Sequence, residues 1–186
     1  HALRFSGLSY NYLTAYDQAL ERCAQLGEAA RAAGRPEEEA GAWNLTGQVD
    51  EQLERFAEAE AAYEKALAAM GTQEAPSLRG RISINWGCAD FRRGRYAGAE
   101  ARWRAALALA QDRAPRETAD ALNNLAVLAT VRGDLEGAWG LYEQVLALDA
   151  QEAPSPHSLL TYYNMGMVRA DQQRWDEALQ LYDRSL

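Results

Sequence analysis

The sequence is poor in the residues that carry most recognisable chemistry. Of its 186 residues only two are cysteine, Cys23 and Cys88, and only two are histidine, His1 and His157. Two cysteines cannot form a disulfide framework, and nothing demands an oxidising compartment. Neither histidine has a cysteine or carboxylate at metal-ligand spacing, so zinc binding and histidine-based catalysis find no support. No phosphate-binding loop, nucleotide-binding glycine motif or nucleophile elbow is present. No run approaches the roughly 18 apolar residues of a membrane helix, and no basic-then-apolar signal pattern opens the chain. A net charge of −8, from 19 basic and 27 acidic residues, repels phosphate backbones, so nucleic acid is not an expected partner. The expectation is an acidic, cytoplasmic, non-enzymatic chain with no cofactor and no metal. His1 stands where Met would begin an intact product, so the chain is expected to be processed, tagged or excised.

What is present is repetition. Shifted against itself by about 40 residues, the chain aligns five segments. Gly7, Gly47, Gly87, Ala126 and Gly166 share one column of small residues. Twelve positions later Ala19, Ala59, Ala99, Ala138 and Ala178 form an invariant one. Tyr16, Phe56, Tyr96, Leu135 and Trp175 precede those alanines by three, and Cys23, Tyr63, Trp103, Tyr142 and Tyr182 follow them by four. These steps of three and four are helical spacing. Gly94 and Gly133 sit where a first helix must end. Pro36, Pro76 and Pro115 share a column at unit junctions, with Pro154 and Pro156 flanking it in the fourth, and proline suits a helix's first turn. Alanine, the best helix former, supplies 37 residues.

The expected fold is all-α: about five stacked helix-turn-helix units in one domain, with approximate boundaries 1–34, 35–74, 75–113, 114–152 and 153–186. One unit cannot bury its apolar face alone, so units stack into a one-dimensional array. The small-residue columns predict close backbone approach between the two helices of a unit. The aromatics, including Trp43, Trp86, Trp103 and Trp175, are expected in the core. Trp139 falls outside the main columns, where a second helix faces its neighbour.

These columns resemble the tetratricopeptide repeat, in which an aromatic, Leu-Gly and a tyrosine precede Ala, an aromatic and Ala-Leu. The unit AWNLTGQVDEQLERFAEAEAAYEKAL matches best, with Trp43, Gly47, Phe56, Ala59, Tyr63, Ala66 and Leu67 in register. The period of about 40 rather than 34 is similar to the longer class found in kinesin light chains and bacterial regulatory arrays. The resemblance implies a right-handed superhelical solenoid whose first helices line a concave surface, where a protein or peptide partner lies.

Asparagine sharpens that expectation. Asn11, Asn44, Asn85, Asn123, Asn124 and Asn164 are the only six, and all fall in first helices, most of them mid-helix. There the amide competes with the backbone, at up to about 0.7 kcal/mol each relative to alanine. Asn85, Asn124 and Asn164 share a register, which predicts a ladder down one face. A carboxamide can pair with both groups of an extended peptide's backbone. The alternative is that these amides brace one unit against the next. Projection onto the same face adds Arg81, Arg92, Ile84, Cys88, Val127, Tyr163 and Met167 as a candidate peptide-binding set. The arginines serve acidic groups or form a solvated face. Ile84, Val127, Tyr163 and Met167 make an apolar floor or packed core, and Cys88 is a small apolar filler.

Three functional classes follow: an interaction scaffold binding an extended peptide or partner helix, a ligand- or peptide-sensing module of a bacterial multidomain regulator, and a self-assembling array. Arginine richness beside a single lysine, Lys65, points to a GC-rich bacterial genome. The chain ends at Leu186 within a second helix without a cap, whereas terminal solenoid units carry a polar outer face. More repeats, or stacking of the ends on each other, are therefore expected.

Overall fold

A computed structural model describes residues 2–110, 113–149 and 156–186, with side chains described from residue 15 onward except 111–112 and 149–157. Among the described residues the secondary structure is helical throughout. In chain order the helices are α1 (Ala2–Ala32), α2 (Pro36–Gln52), α3 (Phe56–Met70), α4 (Pro76–Arg92), α5 (Tyr96–Ala110), α6 (Pro115–Val131), α7 (Leu135–Asp149), α8 (Pro156–Asp171) and α9 (Trp175–Arg184). Four hairpins result: α2 with α3, α4 with α5, α6 with α7, and α8 with α9.

The start and stop signals work as local chemistry requires. Pro36, Pro76, Pro115 and Pro156 are the first residues of α2, α4, α6 and α8, where the missing N–H costs nothing. Each of these four helices ends in the same reciprocal backbone motif. In α4, the Gly94 N–H donates to Phe91 O and the Arg95 N–H to Asp90 O. That geometry needs a left-handed residue at its centre. Gly94 (φ 72°) and Gly133 (φ 79°) supply it in two units, but Glu54 (φ 58°) and Gln173 (φ 59°) do so in the others.

The first unit departs from the expected hairpin. α1 runs unbroken for 31 residues, through the stretch where the other units turn. The residue in the turning column is Thr14, and a β-branched side chain is poorly accommodated in the left-handed region. With neither glycine nor proline nearby, the helix continues. Its C-terminal portion packs on α2, with Ala30 buried and Gly27 lying against Ala42. The expected first-helix residues Gly7 and Asn11 lie outside the described side chains, as does His157; His1 and Pro154 lie outside the described residues.

The core runs through the array as linked clusters. Ala59, Ala99, Ala138 and Ala178 are all buried, as are Tyr63, Trp103 and Tyr142. The small-residue column acts differently from expectation: the second helix's aromatic ring, not its backbone, occupies the space. A Cβ on Gly47 would fall 2.5 Å from Tyr63 Cε1, and one on Gly166 2.5 Å from Tyr182 Cε1. At Gly87 it would run into the Trp103 indole nitrogen, whose N–H donates to Ile84 O at 3.1 Å. Glycine therefore makes a socket for a ring, and each fully buried apolar side chain contributes about 1.5–3 kcal/mol.

Two expected placements are corrected. Trp175 is not core: it is exposed. In the same column Phe56 lies under Arg92 and Arg93 of the following unit, whereas no described helix follows α9. Ile84 is not groove floor: it is buried in a cluster with Trp103, Leu125 and Leu128. Its position on α4 turns toward the next unit, not toward open space.

Candidate functional site

Successive first helices α2, α4, α6 and α8 touch one another, while the second helices pack chiefly against first helices. The side on which the units converge is therefore lined by first helices. This is the surface on which the sequence places its asparagines and arginines.

The asparagines engage each other between units. Asn85 Nδ2 donates to Asn44 Oδ1 at 3.0 Å, and Asn164 Nδ2 donates to Asn123 Oδ1 at 3.2 Å. The two pairs have one geometry. The acceptor lies three residues before the small-residue column of its helix, and the donor two residues before that of the next. The middle junction lacks an acceptor in that place, because Ile84 stands there. Asn124 Nδ2 instead donates to Cys88 Sγ at 3.7 Å. The Asn85, Asn124 and Asn164 register is thus real, but each amide bonds to the preceding unit rather than to its own counterpart. Asn44 is buried; the others are half-buried. A carboxamide carries two N–H groups and an oxygen with two lone pairs. Asn85, Asn124 and Asn164 each give one N–H to these junctions. The junction bond fixes the orientation of the rest of the amide.

The two arginines differ. Arg92 Nη1 donates to Glu51 O at 2.9 Å and meets the Glu51 carboxylate at 3.3 Å, so it clips α4 to α2. Glu51 also accepts from the Tyr63 hydroxyl at 3.3 Å, and its charge adds to burial in pushing that hydroxyl's pKa well above its ordinary value. Arg81 is exposed and has no ion pair among the described residues; it lines an open groove between the starts of α2 and α4, beside Glu37, Glu38 and Leu78. The carboxylates of the first turn of α2 are partly engaged, with Glu39 holding Arg31 at 2.6 Å.

The apolar candidates divide by position. Val127 is half-buried, while Tyr163 and Met167 are exposed. Leu160 and Val131 are also exposed; they occupy the registers of Arg81 and Arg92, and the columns did not single them out because the residue type there changes from unit to unit. Cys88 is partly covered, and desolvation raises its thiol pKa to about 12, so it is a packing group rather than a nucleophile. Among the described residues no group of three or more His, Cys, Asp or Glu could hold a metal. No described helix is long and apolar enough to cross a membrane.

Trp139 stands at a junction, where a second helix faces its neighbour: the Arg169 guanidinium lies over its ring, 3.6 Å from the centroid. Arg102 lies over Trp86 at 3.2 Å while also bonding buried Asp90 at 2.9 Å. These stacked arginines occupy one face each of Trp86, within a hairpin, and Trp139, between units. The sequence signal for them was weak, since arginine at a helix surface reads the same whether stacked or solvated.

Comparison with known proteins agrees with this architecture. Tetratricopeptide repeat models match residues 84–153 and 161–186, together just over half of the chain. No curated protein sequence matches it. Among solved structures, BtubC (BKLC) from P. vanneervenii is similar over 92% of this chain and 72% of its own, with a TM-score of 0.81 at 20% identity. A structure of nearly identical TPR-like repeats, assigned to a kinesin light chain of Podosopora anserina, covers 95% of this chain and 88% of its own at a TM-score of 0.69 and 17% identity. PilF of Pseudomonas aeruginosa covers 92% and 78% at 0.61 and 19%. At such identities the likeness is one of fold. With matched repeat models, helical hairpins at the expected period and rings seated on glycine sockets, the chain belongs to the tetratricopeptide-repeat family.

Proposed function

We propose that this chain is a cytoplasmic interaction scaffold that takes an extended peptide or a partner's helix along the face lined by α2, α4, α6 and α8. Tetratricopeptide repeats are generally protein–protein interaction scaffolds, and the fold is generally non-catalytic. The observation that carries the reading here is the set of half-buried amides Asn85, Asn124 and Asn164, each oriented by one bond to its neighbour. Each keeps one N–H and its oxygen for a peptide backbone. Bracing and binding are then compatible, because the brace sets the direction of the remaining donor. Unpaired Arg81 offers a site for an acidic group, and Val127, Val131 and Leu160 offer apolar contact farther along.

Because the asparagines also brace the array, the test uses side chains that brace nothing. A partner peptide is selected on the wild-type chain from a displayed library, and its affinity is compared with that for Arg81→Glu and Val131→Asp. Both variants should match the wild type by circular dichroism and lose at least about tenfold in affinity, some 1.4 kcal/mol. Unchanged affinity in both would place binding elsewhere.

A second reading, a peptide- or ligand-sensing segment of a bacterial multidomain regulator, is favoured by the composition: one lysine, Lys65, among 19 basic residues, as in GC-rich bacterial genomes. The full open reading frame decides it, by showing or lacking an attached effector domain.

A further inference from the structure

Glycine inside a helix weakens it relative to alanine, and most helical glycines here have a packing reason. Gly47, Gly87 and Gly166 seat aromatic rings, and Gly80 lies against Glu117. Gly41 has no such reason. It sits inside α2, half-buried, and a Cβ there would meet nothing within 4 Å. Gly140 is equally open but lies on α7, a second helix, away from the first-helix face. Glycine also serves where a ligand must approach the backbone closely, and Gly41 borders a space that can receive one.

That space is a groove of about 450 Å³ between the starts of α2 and α4, walled by Glu37, Gly41, Ala75, Pro76, Leu78 and Arg81. Its volume falls within the roughly 300–1,000 Å³ of ligand sites. It lies inside the array, between two first helices that pack on each other and on their own hairpin partners. Gly41 and Arg81 occupy the same column of successive first helices, so the guanidinium stands beside a helix wall that carries no side chain. One turn earlier on α2, Glu37 shares the face of Gly41, since residues four apart are neighbours on a helix.

Charge fixes the occupant. Glu37 and Arg81 are both exposed, and neither has an ion pair among the described residues. Glu38, on the same wall, is held by Arg35 at 3.1 Å. The groove therefore presents one free carboxylate and one free guanidinium beside the apolar Ala75, Pro76 and Leu78. A purely acidic or purely basic segment would satisfy one of these charges and be repelled by the other. A segment with one side chain of each sign on the same side satisfies both. In an extended chain such side chains are two residues and about 6.6 Å apart, close to the roughly 6 Å that separates Glu37 from Gly41 along α2.

We infer that this groove takes an extended peptide segment carrying an acidic and a basic residue two positions apart, the acid on Arg81, the base on Glu37 and the backbone against Gly41. The inference rests on the peptide-binding reading above and narrows it to a ligand of defined charge pattern.

A displayed library of random peptides, selected on the wild-type chain, supplies the probe. The affinity of a selected peptide is then measured by titration calorimetry on variants whose folding is checked by circular dichroism. The selected peptides should carry an acidic and a basic residue two apart. Gly41→Leu should keep or raise the Tm yet weaken binding at least about tenfold, while Gly140→Leu, the control, leaves binding unchanged. Exchanging the charges, Glu37→Arg with Arg81→Glu, should weaken binding by a similar factor. Affinity should return for the same peptide with its acid and base interchanged, which a merely structural effect would not produce. Full affinity in Gly41→Leu, an equal loss in Gly140→Leu, or no recovery with the interchanged peptide overturns this inference and leaves the scaffold reading standing. A library that yields no ligand overturns both.

Discussion

Asn85 donates its side-chain amide to the side-chain oxygen of Asn44 across 3.0 Å, tying α4 to α2 through two residues 41 apart in sequence. Because Asn44 is only 4% exposed, the oxygen has no easy recourse to water. Truncating Asn85 to alanine leaves a buried acceptor unmet and should cost about 1–3 kcal/mol. The Asn44→Ala, Asn85→Ala double-mutant cycle should return a coupling of about 1 kcal/mol in urea unfolding. A coupling of zero would remove the bracing role.

Two turns carry a side chain where the backbone favours none. Glu54 (φ 58°) and Gln173 (φ 59°) hold the left-handed position that glycine fills in the other two hairpins. The left-handed conformation costs an L-residue about 1–2 kcal/mol, partly offset by glycine's greater unfolded freedom. Glu54→Gly should therefore stabilise the chain by about 0.5–1 kcal/mol, seen as a raised Tm. Gly94→Ala should shift it the other way.

Gly87 is a socket, so the smallest addition should be felt. A Cβ there collides with the Trp103 indole nitrogen and disturbs its bond to Ile84 O. Gly87→Ala should cost about 1–3 kcal/mol by overpacking, although alanine is the better helix former. Gly41, with open space around its Cα, is the control: Gly41→Ala should stabilise by up to about 1 kcal/mol. Thermal melts of the two variants should move in opposite directions.

Cys88 should be chemically quiet. Burial raises its thiol pKa to about 12, so the reactive thiolate is scarce at neutral pH and rises only as the pH approaches that value. Iodoacetamide at pH 8 should leave Cys88 unmodified in the folded chain and alkylate it fully in denaturant, read by mass spectrometry of the digested protein. Rapid native modification would contradict the burial.

Most of the fold was legible because its determinants are local. Proline at the first position of α2, α4, α6 and α8, glycine after α4 and α6, and columns at steps of three and four all act within one or two turns of chain. Ring burial followed, since an aromatic four residues after an invariant alanine has one face to occupy. Local signals failed where the determinant was an omission: nothing breaks α1 at Thr14, and Glu54 and Gln173 turn the chain without a glycine to announce it.

The sequence alone determined the repeat, its period, its helical class and the face on which the asparagines gather, because side-chain direction in a helix follows from spacing. Only the tertiary structure decided which groups meet across a junction. Neighbouring first helices pack with an offset of one residue, so Asn85 finds Asn44, Asn164 finds Asn123, and Asn124 is left with the Cys88 sulfur because Ile84 fills the acceptor's place. Exposure was decided in the same way. Phe56 and Trp175 occupy one column, yet Phe56 lies under two arginines of the next unit and Trp175 under none, because burial in a stacked array depends on the neighbour as much as on the residue.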